Sequence, residues 1–137
     1  ENLLAASYFL SIHTPLTAET RGLVDDHFLD LAKSGMTLVN TARGEIVESL
    51  DVILRGLESG KLQNVALDVL PQEPPDASHP LIQSWREDRD LTRGRLIINP
   101  HSAFFSVESF IEMRRSAAIN AKRILNDLRP INIVECP

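Results

Sequence analysis

The stretch MTLVNTARGEIVESLDVILRGLESGKLQNVALDV, residues 36–69, contains one complete unit of the fold. Met36 to Asn40 and Asn64 to Val69 are short apolar runs without alternation, which predicts strands that are buried on both faces. Between them, Ser49 is a suitable N-cap for a helix over about Leu50 to Ser59. A strand, a helix and a second strand at this spacing predict a right-handed crossover within a parallel sheet.

Apolar runs of the same kind lie on both sides of this unit. Tyr8 to Ile12 (YFLSI) ends at a Pro-containing turn, and Leu96 to Asn99 (LIIN) follows a charged stretch, so both are predicted to be strands. The apolar segment from Leu3 is too short to cross a bilayer and leads into His13-Thr14-Pro15, which favours a helix end entering a strand. Four strands separated by helical segments predict an α/β fold, with helices flanking a parallel sheet.

Helices are expected between the strands and after the last one. Asp25 or Asp26 can cap a helix that runs to about Lys33. Ser106 can cap a long helix to about Leu128, and its apolar stripe is expected to lie in the core. That stripe comprises Phe110, Met113, Ala117, Ala121, Ile124 and Leu128. The connection before the fourth strand is expected to contain a Pro-rich loop (71–80), a short helical turn (81–85) and a charged surface loop (86–94).

Composition narrows the class of protein. The chain has 137 residues, of which 43% are hydrophobic and 24% charged, as in one globular domain rather than a disordered chain. A net charge of -5 argues against nucleic acid as a direct partner, since phosphate binding requires a basic face. The single Cys136 permits neither an internal disulfide nor a cysteine-based metal site, and we expect it to be inert. No metal site is expected.

Ionisable and polar residues follow each predicted strand. In an open parallel sheet, ligands bind beyond the carboxyl ends of the strands, so these residues should meet at one rim. They comprise His13 to Thr20 after the first strand, Thr41 to Gly44 after the second, Asp68 with Glu73-Pro74 at the third, and Pro100 to Ala103 after the fourth.

Three of these residues suit hydride chemistry on a small hydroxyacid. The guanidinium of Arg43 can grip a carboxylate through two parallel hydrogen bonds. His101 can exchange the hydroxyl proton, and the carboxylate of Glu73 can orient that histidine and favour its protonated form. Taken singly, Glu73 could be a solvated loop residue and His101 a core histidine; only their shared position favours function. The hydride acceptor must then be a cofactor, because no side chain can serve.

The order and spacing of these motifs closely resemble the D-isomer-specific 2-hydroxyacid dehydrogenases over nearly the whole chain. The matching motifs are His13-Thr14-Pro15-Leu16-Thr17 with Thr20 to Leu23, Asn40 to Gly44, Ala66 to Val69 with Glu73-Pro74, and Pro100-His101. The resemblance implies a Rossmann-like sheet and an oxidoreductase that acts on the CH–OH group of a small D-2-hydroxyacid with NAD, or with NADP.

The resemblance also implies roles for individual residues. Arg43 would anchor the substrate carboxylate, His101 would act as acid and base, and Glu73 would be its partner. Asp68 would hold the nicotinamide carboxamide, and the loop from Thr14 to Thr20 would line the pyrophosphate and adenosine side. The implied cofactor-binding residues are His13, Thr14, Pro15, Leu16, Thr20, Thr41, Ala42, Arg43, Asp68, His101, Ser102 and Ala103.

Some features of the family are absent from these residues. No two glycines lie two positions apart, so the G-x-G-x-x-G turn and the acidic ribose-binding residue are missing. We therefore expect a fragment that lacks the N-terminal half of the dinucleotide-binding domain and is inactive alone. Residues 1–129 would form the C-terminal part of that domain, and 130–137 a tail leading back toward the substrate domain.

The segment after His101 most resembles the branch that includes the C-terminal binding protein co-repressors, with Phe104 where those usually carry Trp. An alternative function is therefore an NAD-sensing protein–protein scaffold in a nuclear setting, whereas the enzyme is expected to be cytoplasmic. Formate dehydrogenase is disfavoured, because that relative has Gln where Glu73 stands. The resemblance further implies a homodimer for the full-length protein. No membrane association is expected, because the apolar segment from Leu3 is too short to span a bilayer.

Overall fold

The computed structural model describes residues 2–133, so Cys136 and the end of the expected 130–137 tail lie outside the described residues. Within this range the strands are β1 (Phe9–Ile12), β2 (Met36–Asn40), β3 (Leu62–Leu67) and β4 (Leu96–Ile98). The helices of the same range are α1 (Asn2–Ala6), α2 (Asp26–Leu31), α3 (Leu50–Glu58), α4 (Pro80–Arg86) and α5 (Val107–Leu125), with a 3₁₀ turn at Gly44–Ile46.

The four strands form one parallel sheet in the order β1-β2-β3-β4, which confirms the predicted Rossmann-like α/β architecture. A helix connects each pair of neighbouring strands, as parallel pairing requires. The last residues of the strands pair in one row across the sheet, namely Ile12, Asn40, Leu67 and Ile98. The loops that follow them therefore start from a common line.

One face of the sheet carries the core. Alternate strand residues such as Leu38 and Val65 are buried in a single cluster with residues of the helices, among them Val52, Ile53 and Leu57 of α3. Burying each such side chain stabilises the fold by about 1.5–3 kcal/mol. A hydrophobic residue at every third or fourth position of α3 places these side chains on the helix face that meets the sheet.

The opposite face of the sheet is more open than the apolar runs predict. Phe9 of β1 is 80% exposed and Ile97 of β4 is 59% exposed. The expectation of strands buried on both faces is therefore wrong for these two strands. The reason is that α2, α3 and α4 all contribute to the same core cluster, so they cover the same face of the sheet.

The boundaries of α2 and α3 follow their caps. Asp25 is the N-cap of α2 and accepts a hydrogen bond from Phe28 N at 2.7 Å, which decides between the two predicted caps. The helix ends at Leu31, before the predicted Lys33. Ser49 is the N-cap of α3 as predicted, but its side chain makes no capping hydrogen bond.

The third strand is shifted toward the N-terminus relative to its prediction. It begins at Leu62 and ends at Leu67, so Asp68 follows the strand instead of lying within it. Asp68 N still donates to Asn40 O at 3.0 Å, which continues the sheet contact by one residue. Asp68 is thus at the start of the rim, where its carboxylate can meet backbone groups of the neighbouring loop.

The connection between β3 and β4 is ordered by polar contacts. The helix α4 begins at Pro80, with His79 as its N-cap accepting from Leu81 N and bonding Asp51 of α3 at 3.1 Å. The charged loop after α4 is closed by ion pairs of Arg93 with its own neighbours. These contacts make His79 a structural residue and give the charged loop an internal explanation.

Within the described residues, 2–103 form one compact unit and 104–133 form a second. Ser106 caps α5 as predicted, in a reciprocal pair with Ser109, and the helix ends at Leu125, short of the predicted Leu128. No residue of α5 is buried, so the expectation that its stripe lies in the core is wrong for the described chain. A spacing of three or four residues identifies a helix face that can be covered, but not what covers it.

Among residues 2–133, no helix is both long and apolar enough to cross a membrane.

Candidate active site

The loop after β4 is joined to the loop after β3 through a histidine–glutamate pair. His101 Nδ1, assigned as the protonated nitrogen, donates to Glu73 Oε2 at 2.8 Å. The other oxygen of Glu73 accepts from Leu70 N at 2.8 Å. Both oxygens of the carboxylate are therefore hydrogen-bonded. Leu70 N fixes the carboxylate, and the carboxylate in turn orients the imidazole ring.

The charge state of Glu73 follows from these contacts. Partial burial by itself raises the pKa of Glu73, but the hydrogen bond from His101 and that from Leu70 N outweigh it. The charge on His101 acts in the same direction, whereas that on Asp68 opposes it. The net effect is a pKa below the ordinary value, so the carboxylate is ionised at neutral pH and can stabilise an imidazolium.

Asp68 contacts the backbone that carries His101. Its side chain is buried, and its two oxygens accept hydrogen bonds from Ser102 N at 2.9 Å and Ala103 N at 2.8 Å. Its own carbonyl accepts from His101 N at 2.9 Å. His101 has a φ of 52°, in the left-handed region that residues other than glycine rarely adopt.

Asn40, which was not among the predicted site residues, organises the loop that carries Arg43. It is fully buried, its Oδ1 accepts from Ala42 N at 3.0 Å, and its Nδ2 donates to Arg43 O at 2.9 Å. A polar amide at the end of an apolar strand is itself a signal, because burying it requires hydrogen-bond partners. Asn40 thus sets the path of the backbone from β2 to Arg43.

Gly44 brings this loop against the loop after β3. A Cβ at Gly44 would lie 1.8 Å from Leu70 O and 2.8 Å from Pro71 N, so only glycine allows this approach. Leu70 is also the residue whose N–H holds Glu73. The sequence shows a glycine after Arg43, but it does not predict that the backbone of Leu70 and Pro71 packs against it.

The predicted catalytic residues Arg43, Glu73 and His101 line one cleft of about 180 Å³. Arg43 is exposed, and its guanidinium donates to Ala42 O at 2.8 Å. The three residues that carry a guanidinium, a carboxylate and an imidazole therefore surround one small space. Among residues 2–133, no three His, Cys, Asp or Glu side chains come together as metal ligands would.

A larger apolar cavity of about 430 Å³ adjoins this cleft. It shares Leu70, Glu73 and His101 with the cleft, and its other walls are Pro74, Pro75, Trp85, Ile98, Asn99 and Pro100. The histidine–glutamate pair thus lies between a polar space and an apolar one.

The predicted cofactor residues lie at the same rim but outside this cleft, apart from Arg43 and His101. The loop from His13 to Thr20 follows β1 and folds on itself, with Thr20 Oγ1 donating to Pro15 O at 2.7 Å and accepting from Thr17 N. His13 bonds Ser11 at 2.8 Å, and Leu16 packs against the core. Thr14, Thr41, Ser102 and Ala103 are exposed, whereas Ala42 is half-buried.

Comparison with known families gives one clear match. Residues 1–103 match the model described as "D-isomer specific 2-hydroxyacid dehydrogenase, NAD binding domain". A glyoxylate reductase of Aeropyrum pernix is 36% identical over 134 residues, which are 98% of this chain and 37% of that protein. A glycerate dehydrogenase of Methylorubrum extorquens is 31% identical over 135 residues, covering 98% of this chain and 40% of that protein.

Solved structures give the same match. An NAD-complexed D-isomer specific 2-hydroxyacid dehydrogenase of Lactobacillus delbrueckii aligns with a TM-score of 0.78 and 26% identity over 97% of this chain and 42% of that one. One of Xanthobacter autotrophicus, with NADPH and MES, aligns with a TM-score of 0.75 and 28% identity over 98% of this chain and 50% of that one. This chain spans about two fifths of the length of the curated relatives named above.

Proposed function

Because the chain belongs to the D-isomer specific 2-hydroxyacid dehydrogenase family, through its NAD-binding domain, we propose that the protein transfers a hydride between NAD(P) and a small D-2-hydroxyacid or its 2-oxoacid. The observation that supports this most is the cleft shared by Arg43, Glu73 and His101, with the 2.8 Å hydrogen bond between the last two. These are the groups that an anionic substrate with a hydroxyl proton to lose requires.

The acid–base role falls to His101. Its Nδ1 donates to Glu73, so Nε2 is the nitrogen that exchanges a proton with the substrate oxygen. When a hydroxyacid is oxidised, Nε2 takes the hydroxyl proton, and the ionised Glu73 stabilises the resulting imidazolium. In the reverse direction the imidazolium returns that proton to the oxygen of the oxoacid. Such positioned proton transfer contributes about 10²–10⁴-fold to the rate.

Substrate anchoring falls to Arg43. Its side chain is exposed at the cleft, and its loop is held by Asn40 and by the close packing of Gly44. A guanidinium binds a carboxylate through two parallel N–H donors, which fixes the plane of the substrate as well as its position. His101 lines the same cleft, so the 2-oxygen of the bound molecule would be within its reach.

The residues at the rim fit the nicotinamide end of NAD or NADP. Thr41 and Ser102 are exposed in loops that follow the carboxyl ends of parallel strands, the position where open sheets bind nucleotides. These residues, with Ala42 and Ala103, would hold that end of the cofactor, and the loop from His13 would hold the rest. When bound, NAD supplies the carbon that accepts the hydride. The chain's own residues position the substrate and move the proton.

The co-repressor-type scaffold has no support among the relatives named above, which are named as a reductase and dehydrogenases. Nor does any comparison favour the co-repressor branch within the family. Catalysis is therefore the proposed function, and the homodimer stays a prediction for the full-length protein.

The direct test is turnover by the full-length protein. We expect it to oxidise NADH or NADPH in the presence of glyoxylate, hydroxypyruvate or pyruvate, followed by absorbance at 340 nm (the nicotinamide band). A His27→Ala variant, altered at an exposed histidine outside the cleft, should retain that turnover. Failure with every small 2-oxoacid tried would overturn the proposal.

A further inference from the structure

We propose that the apolar cavity beside the cleft, with Trp85 as its aromatic wall, binds the side chain of the substrate. The protein would then act on 2-oxoacids that have a single carboxylate and a branched aliphatic or aromatic side chain. This inference rests on the proposed function and names its substrate class.

The sizes of the two spaces favour a substrate that occupies both. The cleft has a volume of about 180 Å³ and the apolar cavity one of about 430 Å³. Ligand sites in proteins commonly measure about 300–1,000 Å³, so the cleft alone is smaller than a usual site. Leu70, Glu73 and His101 line both spaces, which therefore adjoin at the histidine–glutamate pair. A molecule that reacts at His101 is thus beside the apolar cavity.

The chemistry of a 2-oxoacid assigns its side chain to a neighbouring space. The C2 atom carries a carboxylate, an oxygen and a side chain. Under the proposed function, Arg43 binds the carboxylate and His101 meets the oxygen, so only the side chain remains to be placed. Apart from Asn99 and the shared Glu73 and His101, the residues that line the apolar cavity are aliphatic, aromatic or proline. An apolar side chain bound there would remove apolar surface from water on both molecules.

The walls of the apolar cavity are held in place without a ligand. Pro74, Pro75 and Pro100 each have a φ that is fixed by the proline ring. Trp85 belongs to α4, which is anchored in the core by the fully buried Leu81. A site that is already formed loses little conformational freedom when it is occupied, so more of the contact energy appears as affinity.

A third space of about 320 Å³ adjoins the cleft through Glu45 and Pro71, and it disfavours a second negative charge. Glu48 and Arg21 also line this space. Arg21 Nη1 lies 3.9 Å from Glu45 Oε1, so the one cation is paired and the carboxylate of Glu48 is left in excess. A second carboxylate of a substrate would be repelled there, which favours monocarboxylates.

The test compares kcat/KM of the full-length protein for pyruvate, 4-methyl-2-oxopentanoate and 2-oxoglutarate. We expect the wild type to prefer 4-methyl-2-oxopentanoate over pyruvate by about 10–200-fold, the discrimination that an apolar pocket gives. The dicarboxylate 2-oxoglutarate should be the poorest substrate of the three. Trp85→Ala should lower the preference by about 10-fold, because it removes the aromatic wall. Trp85 is 38% exposed, so its removal does not empty the core.

Two neighbouring residues of β4 provide a matched pair of variants. Ile98 lines the apolar cavity, whereas Ile97 points to the opposite face of the sheet and is 59% exposed. Ile98→Ala should lower the preference for 4-methyl-2-oxopentanoate, and Ile97→Ala should keep it at the wild-type value. If Trp85→Ala does not fold, this pair decides the question.

A wild type that prefers pyruvate or 2-oxoglutarate would overturn the inference, as would an equal loss for both monocarboxylates in Trp85→Ala. A binding measurement separates this inference from the proposed function. N-isobutyl oxamate, a non-reacting analogue with an apolar side chain, should change the fluorescence of Trp85, whereas oxamate should not; the Trp85 signal is identified by its loss in Trp85→Phe. If no 2-oxoacid is turned over, the proposed function fails. If N-isobutyl oxamate leaves the Trp85 fluorescence unchanged, the assignment of the apolar cavity fails.

Discussion

The loops after β4 and β2 reach the same cleft with unequal support. On the β4 side, His101 is held twice, through its ring by Glu73 and through its backbone by Asp68. On the β2 side, Asn40 holds the backbone of Arg43, but the guanidinium itself is exposed and bonds a carbonyl of the adjacent residue.

The histidine is therefore oriented by the protein alone, whereas the guanidinium is free of any hydrogen bond from a distant loop among the described residues. Under the proposed function, His101 is the proton-transfer group, and its bond to Glu73 orients it before any ligand arrives, which avoids reorganisation during the chemical step. Under the proposed function, Arg43 is the anion-binding group; its loop is held by Asn40, and we expect its guanidinium to exchange the bond to Ala42 O for bonds to the substrate carboxylate. Changes on the β4 side should therefore act on kcat, and changes on the β2 side on KM.

The largest effect is expected on the better supported side. His101→Ala in the full-length protein should lower kcat by about 10²–10⁴-fold, since it removes the proton carrier, with little change in the KM for the oxoacid. Steady-state NADH oxidation measures both constants. A wild-type kcat in this variant would contradict the acid–base role of His101. The loops after β4 and β2 would then not differ in the way described above.

A variant at the junction of the two sides should affect both constants. Gly44→Ala forces apart the backbones of the Arg43 and Leu70 loops, because its Cβ would lie 1.8 Å from Leu70 O. We expect a loss of about 1–3 kcal/mol in the free energy of unfolding, together with lower kcat and higher KM. Chemical denaturation and kinetics on one preparation measure these effects. A variant with wild-type stability would show that the loops are not in contact.

The less supported side should show a smaller effect, confined to binding. Arg43→Ala should raise the KM for the oxoacid about 10–100-fold, as expected for the loss of charge-assisted hydrogen bonds worth about 1.5–3 kcal/mol. Arg43→Lys should recover only part of this, because an ammonium cannot make the paired contact. Equal KM values for Lys and Arg would mean that the charge alone matters.

The smallest effect is the pH dependence of the Glu73 contact. Because the pKa of Glu73 is lowered in the folded state, this contact stabilises the fold fully above the ordinary glutamate range and loses its contribution as the pH falls below about 4. Glu73→Gln should flatten that part of the stability curve. The effect is small, since the side chain is 38% exposed. If the free energy of unfolding falls equally with pH in the wild type and in Glu73→Gln, the contact does not contribute to stability.

The sequence predicted the parts of the fold that depend on local pattern. The run from Met36 to Asn40 is a strand with the predicted bounds, and Ser49 and Ser106 begin helices as predicted. The convergence of Arg43, Glu73 and His101 could also be expected, because parallel strands place their following loops at one rim.

Features that arise from contacts between distant segments could not be predicted from the local sequence pattern. The glycine at Gly44 is needed only because Leu70 O passes beside it, and His101, which has a positive φ, donates its backbone N–H to Asp68, 33 positions earlier. The stripe of α5 and Phe9 show the opposite case, in which the apolar pattern predicts burial but the residues are not buried. Apolar spacing identifies which surface can be buried, whereas burial depends on what else packs there.

The most direct test of the central claim, that Arg43 and His101 face one small anion, is a titration of the full-length protein with oxamate (a non-reacting 2-oxoacid analogue) in the presence of NADH. With ¹⁵N labels in histidine and arginine, the His101 ring and the Arg43 guanidinium should shift together with the same midpoint. The signals of His27 should stay unchanged. If only one of the two groups responds, or if their midpoints differ, the two residues do not share a substrate and the account is contradicted.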